Sequence, residues 1–138
     1  MISREIEVRT GGGRGLWDVT GNCQRFVAEV AAGGDGLLSL FVPHATAGLV
    51  VVELGAGSDA DLLAALDRLL PRDDRLYRHR HGSPGHGADH VLPLLVSPSL
   101  TVPVVEGRMT LGTWQSIALL DPNADNDRRH VRLSFVAG

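Results

Sequence analysis

The residues best suited to chemistry are histidines, and four of the six lie in one short stretch, residues 77–90. This stretch reads YRHRHGSPGHGADH, and its histidines are His79, His81, His86 and His90. Neutral imidazole is the commonest metal ligand, and three ligands with an open fourth position make a catalytic metal site. His86 and His90 are four residues apart, but Gly87 stands where the HExxH zinc motif has glutamate. The stretch alone fits both a metal or substrate site and a solvated polar loop.

A second pair of candidates is formed by His44 and Glu53, which are nine residues apart and lie near the ends of apolar runs. A histidine at a strand end can act as a ligand or base, but it is more often a hydrogen-bonded structural residue. An acidic residue in such a place commonly marks the point where a strand meets solvent. Neither residue indicates a site without further support.

A third group follows Gly112, where Thr113, Trp114 and Gln115 open an apolar run. Glycine beside an aromatic ring and an amide suits a close approach of the backbone to a ligand. The alternative is a core tryptophan whose N–H is paired with a neighbour. Arg128 and Arg129 are candidate anion ligands, although adjacent arginines at a strand start are more often solvated.

Composition narrows the class of protein. The chain has 138 residues, 43% of them hydrophobic, which fits one domain with a real core. The net charge of -3 gives no electrostatic footprint for nucleic acid, and no apolar run has the ~18–20 residues of a membrane span. The first ten residues lack the apolar core of a signal peptide, so we expect a cytoplasmic protein. Its single cysteine, Cys23, is expected to be an ordinary buried thiol.

All 13 basic residues are arginine. The absence of lysine excludes a Schiff-base lysine and a Walker-type phosphate lysine. A phosphate group would therefore have to be bound by arginine, by backbone N–H groups or by a metal ion.

The apolar pattern predicts an α+β domain. Period-two alternation indicates a strand over residues 4–10, and a glycine-rich turn precedes a return strand. Helical spacing predicts a helix over residues 21–32 capped by Thr20, and another over residues 60–70 capped by Ser58 or Asp59. Apolar runs predict further strands at residues 37–42, 47–54, 90–97, 100–107, 113–121 and 129–138. Pro93 and Pro103 inside two of these runs favour an edge strand, a strand start or a bulge. We expect two layers, with two helices and about eight strands in a mixed, mainly antiparallel sheet.

Several motifs together resemble the YjbQ-like family, which is known as the secondary thiamine-phosphate synthase family. The resemblance covers nearly the whole chain and includes HATAG, at residues 44–48, with Glu53 nine residues after His44. The tyrosine-x-histidine element at residues 77–79 is followed by His90, eleven residues after His79, as in the family. The most specific match is GRMTLGTWQ, at residues 107–115.

The resemblance implies a YjbQ-like fold, a homotrimer and a small phosphorylated metabolite as partner. It implies that a pyrimidine pyrophosphate is joined to a thiazole phosphate with release of pyrophosphate, assisted by a divalent metal, zinc or magnesium. His44, His79 and His90 would hold the metal, and these three together with Glu53 would be the catalytic residues. The substrate-binding residues would be Thr46, Thr113, Trp114, Gln115 and Arg128.

The sequence also departs from the family pattern. His81 and His86 do not match family positions, so we expect them to be peripheral to the site. Val52 stands where the family usually has asparagine. The turn before the last strand, which is acidic and glycine-rich in the family, has the sequence DPNADND here, at residues 121–127. These changes favour an alternative, namely a non-catalytic or differently specific protein that binds a metal or a phosphorylated metabolite on the same fold.

Overall fold

The computed structural model describes residues 1–138 and contains eight strands and three α-helices. The strands are β1 Ile2–Arg9, β2 Gly15–Asp18, β3 Gly36–Phe41, β4 Gly48–Val52, β5 Ser99–Val105, β6 Arg108–Met109, β7 Ser116–Asp121 and β8 Arg128–Ala137. The α-helices are α1 Thr20–Val30, α2 Ser58–Leu69 and α3 His86–Val91, and short 3-10 helices span Asp74–Leu76 and Leu92–Leu94. None of the helices has the length and apolar character needed to cross a lipid bilayer.

The strands form two sheets. The larger has the order β1-β8-β3-β5-β6 and the smaller the order β2-β7-β4. Every strand pair is antiparallel, so the expectation of one mixed sheet is corrected to two antiparallel sheets. The predicted α+β class and the number of strands are confirmed.

One hydrophobic core joins α1 to both sheets. It contains seventeen buried residues, including Phe26 of α1, Leu38 of β3 and Ile117 of β7. Side chains on a strand alternate between its two faces, and β7 is buried on both. Leu120 therefore contributes to a second, smaller cluster with Leu66 of α2 and Leu92. This cluster anchors α2 and the short helix after α3 against the far face of the smaller sheet.

Residues 90–97, predicted to form a strand, contain none: residues 90–94 are helical, and residues 95–97 are a turn and irregular backbone. His90 and Val91 end α3, and Pro93 lies in the first turn of the following 3-10 helix. Proline is tolerated there because a backbone N–H in the first turn has no acceptor within the helix. The apolar run buries Leu92 completely but leaves Leu94 82% exposed. A short apolar run does not distinguish a strand from a buried helical turn by periodicity alone. The change gives the fold a third α-helix and places His86 and His90 on one helical face.

The predicted N-caps also differ from the observed ones. Thr20 is the first residue of α1, and its backbone N–H donates to Asp18 Oδ1 at 2.8 Å. Its hydroxyl accepts a hydrogen bond from the Ile117 N–H at 2.9 Å, which ties α1 to β7. At α2 the cap position is Gly57, whose φ of 90° suits glycine, and Ser58 is the first helical residue. Both helices thus begin within one residue of their predicted caps.

Candidate functional site

Two segments bring the four histidines of residues 77–90 together. His79 and His81 lie on an extended segment after the 3-10 helix Asp74–Leu76, and His86 and His90 lie on α3. The Tyr77 hydroxyl donates to the Pro71 carbonyl at 2.8 Å and anchors the first segment. The chain reverses at Gly82, where φ is 84° and a Cβ would collide with the imidazole of His86. Glycine at this position therefore allows the two pairs of rings to face each other.

The four rings form a cluster of metal-ligand geometry, which we call the histidine cluster. Each of His79, His81, His86 and His90 offers a ligand nitrogen, and these atoms all lie within 4.8 Å of one another. The ring centroids of His79 and His90 are 4.3 Å apart, and Nε2 of His86 is 2.8 Å from Nε2 of His90. His81 is the exposed member, and the other three are half-buried. The expectation that His81 and His86 are peripheral is therefore wrong.

Protonation in the cluster suits metal binding. Nδ1 of His79 is buried without a hydrogen-bond partner in the protein, which is unfavourable unless a water molecule, a ligand or an ion occupies the space beside it. Burial, followed by the neighbouring histidines, lowers the pKa of His79. Burial and the nearby His86 and His81 likewise lower the pKa of His90. Both shifts favour the neutral imidazole, which is the form that binds a metal. The residues present fit a divalent cation.

A carboxylate supports the cluster from outside. Oδ2 of Asp125 is 2.7 Å from Nδ1 of His86 and accepts the Ser83 backbone N–H at 3.2 Å. Hydrogen bonds from Ser83, with smaller contributions from Asn123 and His86, lower the pKa of Asp125 to about 2. The carboxylate is therefore ionised at neutral pH, and it fixes the orientation of the His86 ring.

Asn123 is fully buried and joins this carboxylate to a second acidic residue. Its Oδ1 accepts the Asp125 backbone N–H at 2.9 Å, and its Nδ2 donates to Asp89 Oδ2 at 2.9 Å. Asp89 is buried on α3 between the two helical histidines and forms an ion pair with Arg72. These contacts hold α3 against the loop between β7 and β8.

A separate buried ion pair joins the end of β7 to the start of β8. Arg129 is 2% exposed, and its Nε donates to Asp121 Oδ2 at 2.6 Å. Its Nη2 donates to the Thr46 hydroxyl at 3.0 Å, so Thr46, predicted to bind substrate, contacts this arginine. Arg128, also predicted to bind substrate, is exposed, 3.9 Å from Glu7. Arg129, considered with Arg128 as an anion ligand, is instead paired within the chain, and alternation from Val131 along β8 indicates that it faces inward.

His44 lies outside the histidine cluster. It is in the loop between β3 and β4, where its Nε2 accepts the His130 backbone N–H at 3.0 Å. Its ring stacks against that of His130 with centroids 6.0 Å apart. Burial, followed by the charge of Arg129, lowers the pKa of His44. The structure brings His79 and His90 together as predicted, but within one chain it does not bring His44 to them.

The remaining predicted residues also lie away from the histidines. Glu53 is exposed and lines a shallow groove with Ser58 and Asp61. Trp114 is 75% exposed, in a turn closed by the Gln115 side chain, whose Oε1 accepts the Gly112 N–H at 2.8 Å. Thr113 is exposed in the same turn. The cleft beside the histidines has a volume of about 200 Å³. It is lined by nine residues that lie between Asp74 and Gly87 in the sequence and by no part of this turn.

The single cysteine is not a candidate nucleophile. Cys23 is fully buried in α1. Burial, followed by the nearby charge of Asp18, raises the pKa of its thiol to about 12. The thiolate that a nucleophile requires is therefore not formed near neutral pH, which agrees with the structural assignment made from the sequence.

Comparisons with known proteins give a consistent result. The model of the family described as "UPF0047 protein YjbQ-like" matches residues 4–138. A UPF0047 protein of Mycobacterium tuberculosis is 66% identical over 111 residues, which cover 80% of this chain and 83% of that protein. A UPF0047 protein of Archaeoglobus fulgidus is 31% identical over 126 residues, which cover 91% of this chain and 94% of the relative.

Solved structures share the fold over the full chain. The crystal structure of a hypothetical protein from Aeropyrum pernix superimposes with a TM-score of 0.89 at 28% identity and covers 100% of both chains. A YbjQ-like protein of unknown function from Sulfolobus solfataricus gives a TM-score of 0.85 at 23% identity, covering 99% of this chain and 97% of that one. The second likeness supports the fold alone.

Proposed function

Since the chain belongs to the UPF0047 family of YjbQ-like proteins, we propose that it is a metal-dependent protein acting on a small phosphorylated metabolite. The observation that carries the proposal is the convergence of four histidine ligand nitrogens within 4.8 Å of one another. All-nitrogen ligands favour zinc among the common divalent metals, whereas magnesium prefers oxygen. The proposed ligands are His79, His81, His86 and His90.

The ligands differ in how firmly they are held. His86 is oriented by Asp125 and lies on a helix, and His90 lies one turn further along the same face. His79 is half-buried opposite them, while His81 is exposed at the cleft. A catalytic zinc site keeps one position for water or substrate. We expect His81 to be the ligand that a substrate oxygen replaces.

The cleft is suited to an anionic group. Arg80 is the only arginine among its lining residues, and its guanidinium donates to the carbonyls of Tyr77 and Asp74. This anchorage leaves further N–H donors of the fork for a phosphate oxygen. A bound divalent cation would supply additional positive charge for a phosphate or a departing diphosphate. Arg80 and the histidines together would orient that group at the mouth of the cleft.

The finer proposal is thiamine phosphate synthesis, which the family resemblance supports. A pyrimidine pyrophosphate is joined to a thiazole phosphate, and the negative charge of the leaving pyrophosphate must be stabilised. Glu53, Trp114 and Gln115 retain their proposed roles as base and heterocycle-binding residues. Because they lie outside the histidine cleft of their own chain, this proposal requires a neighbouring subunit to supply them.

Assembly as a homotrimer is accordingly part of the proposal. It is supported by a groove of about 220 Å³ lined entirely by apolar residues, including Val50, Leu62 and Val96. Some of its lining side chains are strongly exposed, among them Leu69, which is 68% exposed. Light scattering after size exclusion should give about three times the 14.7 kDa chain mass. A monomer at micromolar concentration would refute the assembly.

The second candidate is a metal or phosphometabolite-binding protein without synthase activity. The lining of the histidine cleft favours it, because that lining contains glycines, polar and charged residues and Pro84, but no large apolar side chain. A flat heterocycle normally binds against apolar or aromatic surface. In this case the protein would bind the phosphate end of a ligand without the rest of the synthase pocket.

Metal content of point variants tests the proposed site. Purified protein is loaded with zinc, dialysed and analysed for metal as wild type, His79→Ala, His86→Ala, His90→Ala and His44→Ala. We expect about one zinc per chain in wild type and in His44→Ala, and loss in the three cluster variants. Equal zinc in all five proteins would show that the cluster is only a polar loop. Loss in His44→Ala would restore the residue to the ligand set.

Activity is then tested separately. Wild type and Val52→Asn, which restores the amide usual in the family, are given both precursors with zinc or magnesium. Thiamine phosphate formation that depends on His79 and His90 would support the synthase. If neither protein forms product with either metal, the synthase proposal fails and the binding protein becomes the better description.

A further inference from the structure

Nδ1 of His86, the ring nitrogen that faces away from His90, has two competing partners. Asn123 Nδ2, a hydrogen-bond donor, lies 2.9 Å from it, and Asp125 Oδ2, an acceptor, lies 2.7 Å from it. A neutral imidazole carries one proton, so Nδ1 either accepts from Asn123 or donates to Asp125. The choice determines the state of the other ring nitrogen, Nε2, which points into the histidine cluster 2.8 Å from His90 Nε2.

The two choices have opposite consequences for a metal ligand. If Nδ1 accepts from Asn123, the proton is on Nε2, which then donates to His90 and cannot bind a cation. If Nδ1 donates to Asp125, Nε2 carries a lone pair directed into the cluster. Only the second tautomer makes His86 a ligand without a proton rearrangement.

The surrounding contacts favour the second tautomer. A hydrogen bond to an ionised carboxylate is roughly twice as strong as one between neutral groups. The Asp125 carboxylate is held in place by the Ser83 backbone N–H at 3.2 Å, and the Asp125 backbone N–H donates to Asn123 Oδ1 at 2.9 Å. The Asn123 amide has another acceptor, because its Nδ2 donates to Asp89 Oδ2 at 2.9 Å. Asn123 therefore does not need Nδ1 of His86 to satisfy its hydrogen bonds.

We propose that Asp125 is a positioning residue that holds His86 in the Nδ1–H tautomer and so directs the Nε2 lone pair at the metal. The inference rests on the proposed metal site and deepens it. Asp125 lies in the turn 121–127, which sequence comparison with the family pattern identified as rewritten, and His86 is outside the family pattern. The contact of Asp125 with His86 thus adds a ligand to the histidine cluster.

Zinc affinity, measured by competition with a chromophoric chelator, tests this role in the full-length protein. Asp125→Asn should weaken zinc binding about 10- to 100-fold, the usual effect of losing a carboxylate that orients a histidine ligand. The matched control is Asp127→Asn, which removes the same charge from an exposed residue of the same loop and should leave the affinity unchanged. Equal affinities of the two variants would overturn the proposal.

A double variant shows whether Asp125 acts through His86. His86→Ala should lose its zinc on dialysis but keep a weaker affinity, which a lower-affinity chelator measures. In that background Asp125→Asn should cause no further loss of zinc affinity, because the ring that the carboxylate orients is absent. A full additional loss would mean that Asp125 acts by general charge or by loop structure, and it would refute the positioning role.

The tautomer is observed directly in metal-free protein by two-bond ¹H–¹⁵N NMR of the histidine rings, above pH 8. Wild-type His86 should show the Nδ1–H pattern, and Asp125→Asn should convert it to Nε2–H, because Asn123 or the new amide would donate to Nδ1. An Nε2–H pattern in the wild type overturns the inference without any variant having to fold. If the wild type shows Nδ1–H but takes up no zinc, the proposed metal function fails while the tautomer assignment stands.

Discussion

Two polar clusters contact the segment from the end of β7 to the start of β8, and they differ in how completely their atoms are paired. In the pair of Arg129 with Asp121, both side chains are at most 2% exposed and two hydrogen bonds join them. In the histidine cluster the rings are partly exposed, and Nδ1 of His79 is buried without a partner. Both clusters consist of polar side chains. In the Arg129–Asp121 pair the hydrogen bonds are satisfied within the chain, whereas the histidine cluster retains an unpaired nitrogen.

This difference in hydrogen-bond pairing distinguishes a structural polar cluster from one suited to binding a ligand. A paired buried arginine is costly to disturb because each partner compensates the other's desolvation. An unpaired imidazole nitrogen among neutral histidines is open to a metal ion, a ligand or a water molecule, and binding that partner stabilises it. Asn123 connects the two regions, since its backbone N–H donates to Asp121 Oδ1 at 3.0 Å and its side chain contacts His86. The Arg129–Asp121 pair thus supports the loop from which Asp125 contacts the histidine cluster.

Breaking the complete cluster should have the largest effect. Arg129→Met removes one partner of a buried ion pair and leaves Asp121 uncompensated, so we expect the free energy of unfolding to fall by about 3–5 kcal/mol. Urea unfolding followed by circular dichroism measures the change. Arg128→Met, at the neighbouring exposed position, is the control and should change it by about 0.5 kcal/mol or less. Equal effects of the two substitutions would contradict the structural role of Arg129.

Filling the incomplete cluster should stabilise the protein. Zinc at about one hundred times its dissociation constant should raise the free energy of unfolding by about 2.7 kcal/mol, because it binds the folded state. A thermal shift with and without zinc measures this gain. His90→Ala should lose it, and His44→Ala, outside the cluster, should keep it. A zinc-dependent shift that survives in His90→Ala would place the ion elsewhere.

Lowering the pH should weaken the metal-free protein through the same histidines. The folded-state pKa values of His79 and His90 are lowered, so the unfolded chain binds more protons as the pH falls through the unfolded value of about 6.5. Stability contributed by these groups is present above that value and is lost toward the folded pKa values. Urea midpoints across this range should show the loss in wild type, and His79→Ala/His90→Ala should show less of it. An unchanged slope in the double variant would assign the pH dependence to other groups.

The smallest effect is expected at Trp114. Because its side chain is 75% exposed, Trp114→Ala should change the free energy of unfolding by no more than about 0.5 kcal/mol and should leave zinc binding unchanged. Turnover assays are informative if wild type forms thiamine phosphate. Loss of turnover with intact zinc would support a role in binding the heterocycle, whereas a strong loss of stability would indicate packing that the single chain does not show.

Much of the fold follows from periodicity, and the exceptions have physical causes. The alternation along β8 correctly predicts a strand and also implies that Arg129 faces the core with Val131 and Leu133. Residues 90–97 are too short and too apolar for periodicity to distinguish a strand from a helical turn, and Pro93 fits the first turn of a helix. The local pattern therefore predicts burial better than it predicts the kind of element.

The candidate site was only partly predictable. The spacing of His79 and His90 matches the family pattern, and the structure places their rings 4.3 Å apart. His81 and His86 depart from that pattern, yet the turn at Gly82 brings them into the same group. The contact of Asp125 with His86 joins residues far apart in sequence. No local spacing rule could have indicated that contact, because it depends on how α3 packs against the loop after β7.

The most direct test of the metal site is anomalous diffraction at the zinc absorption edge from crystals grown with zinc. The account predicts one strong anomalous peak per chain, with nitrogen atoms of His79, His86 and His90 at about 2.0–2.1 Å. His44 should remain hydrogen-bonded to the His130 backbone N–H, as it is in this structure. A peak bound by His44 instead, or no peak at the histidine cluster, would contradict the central claim.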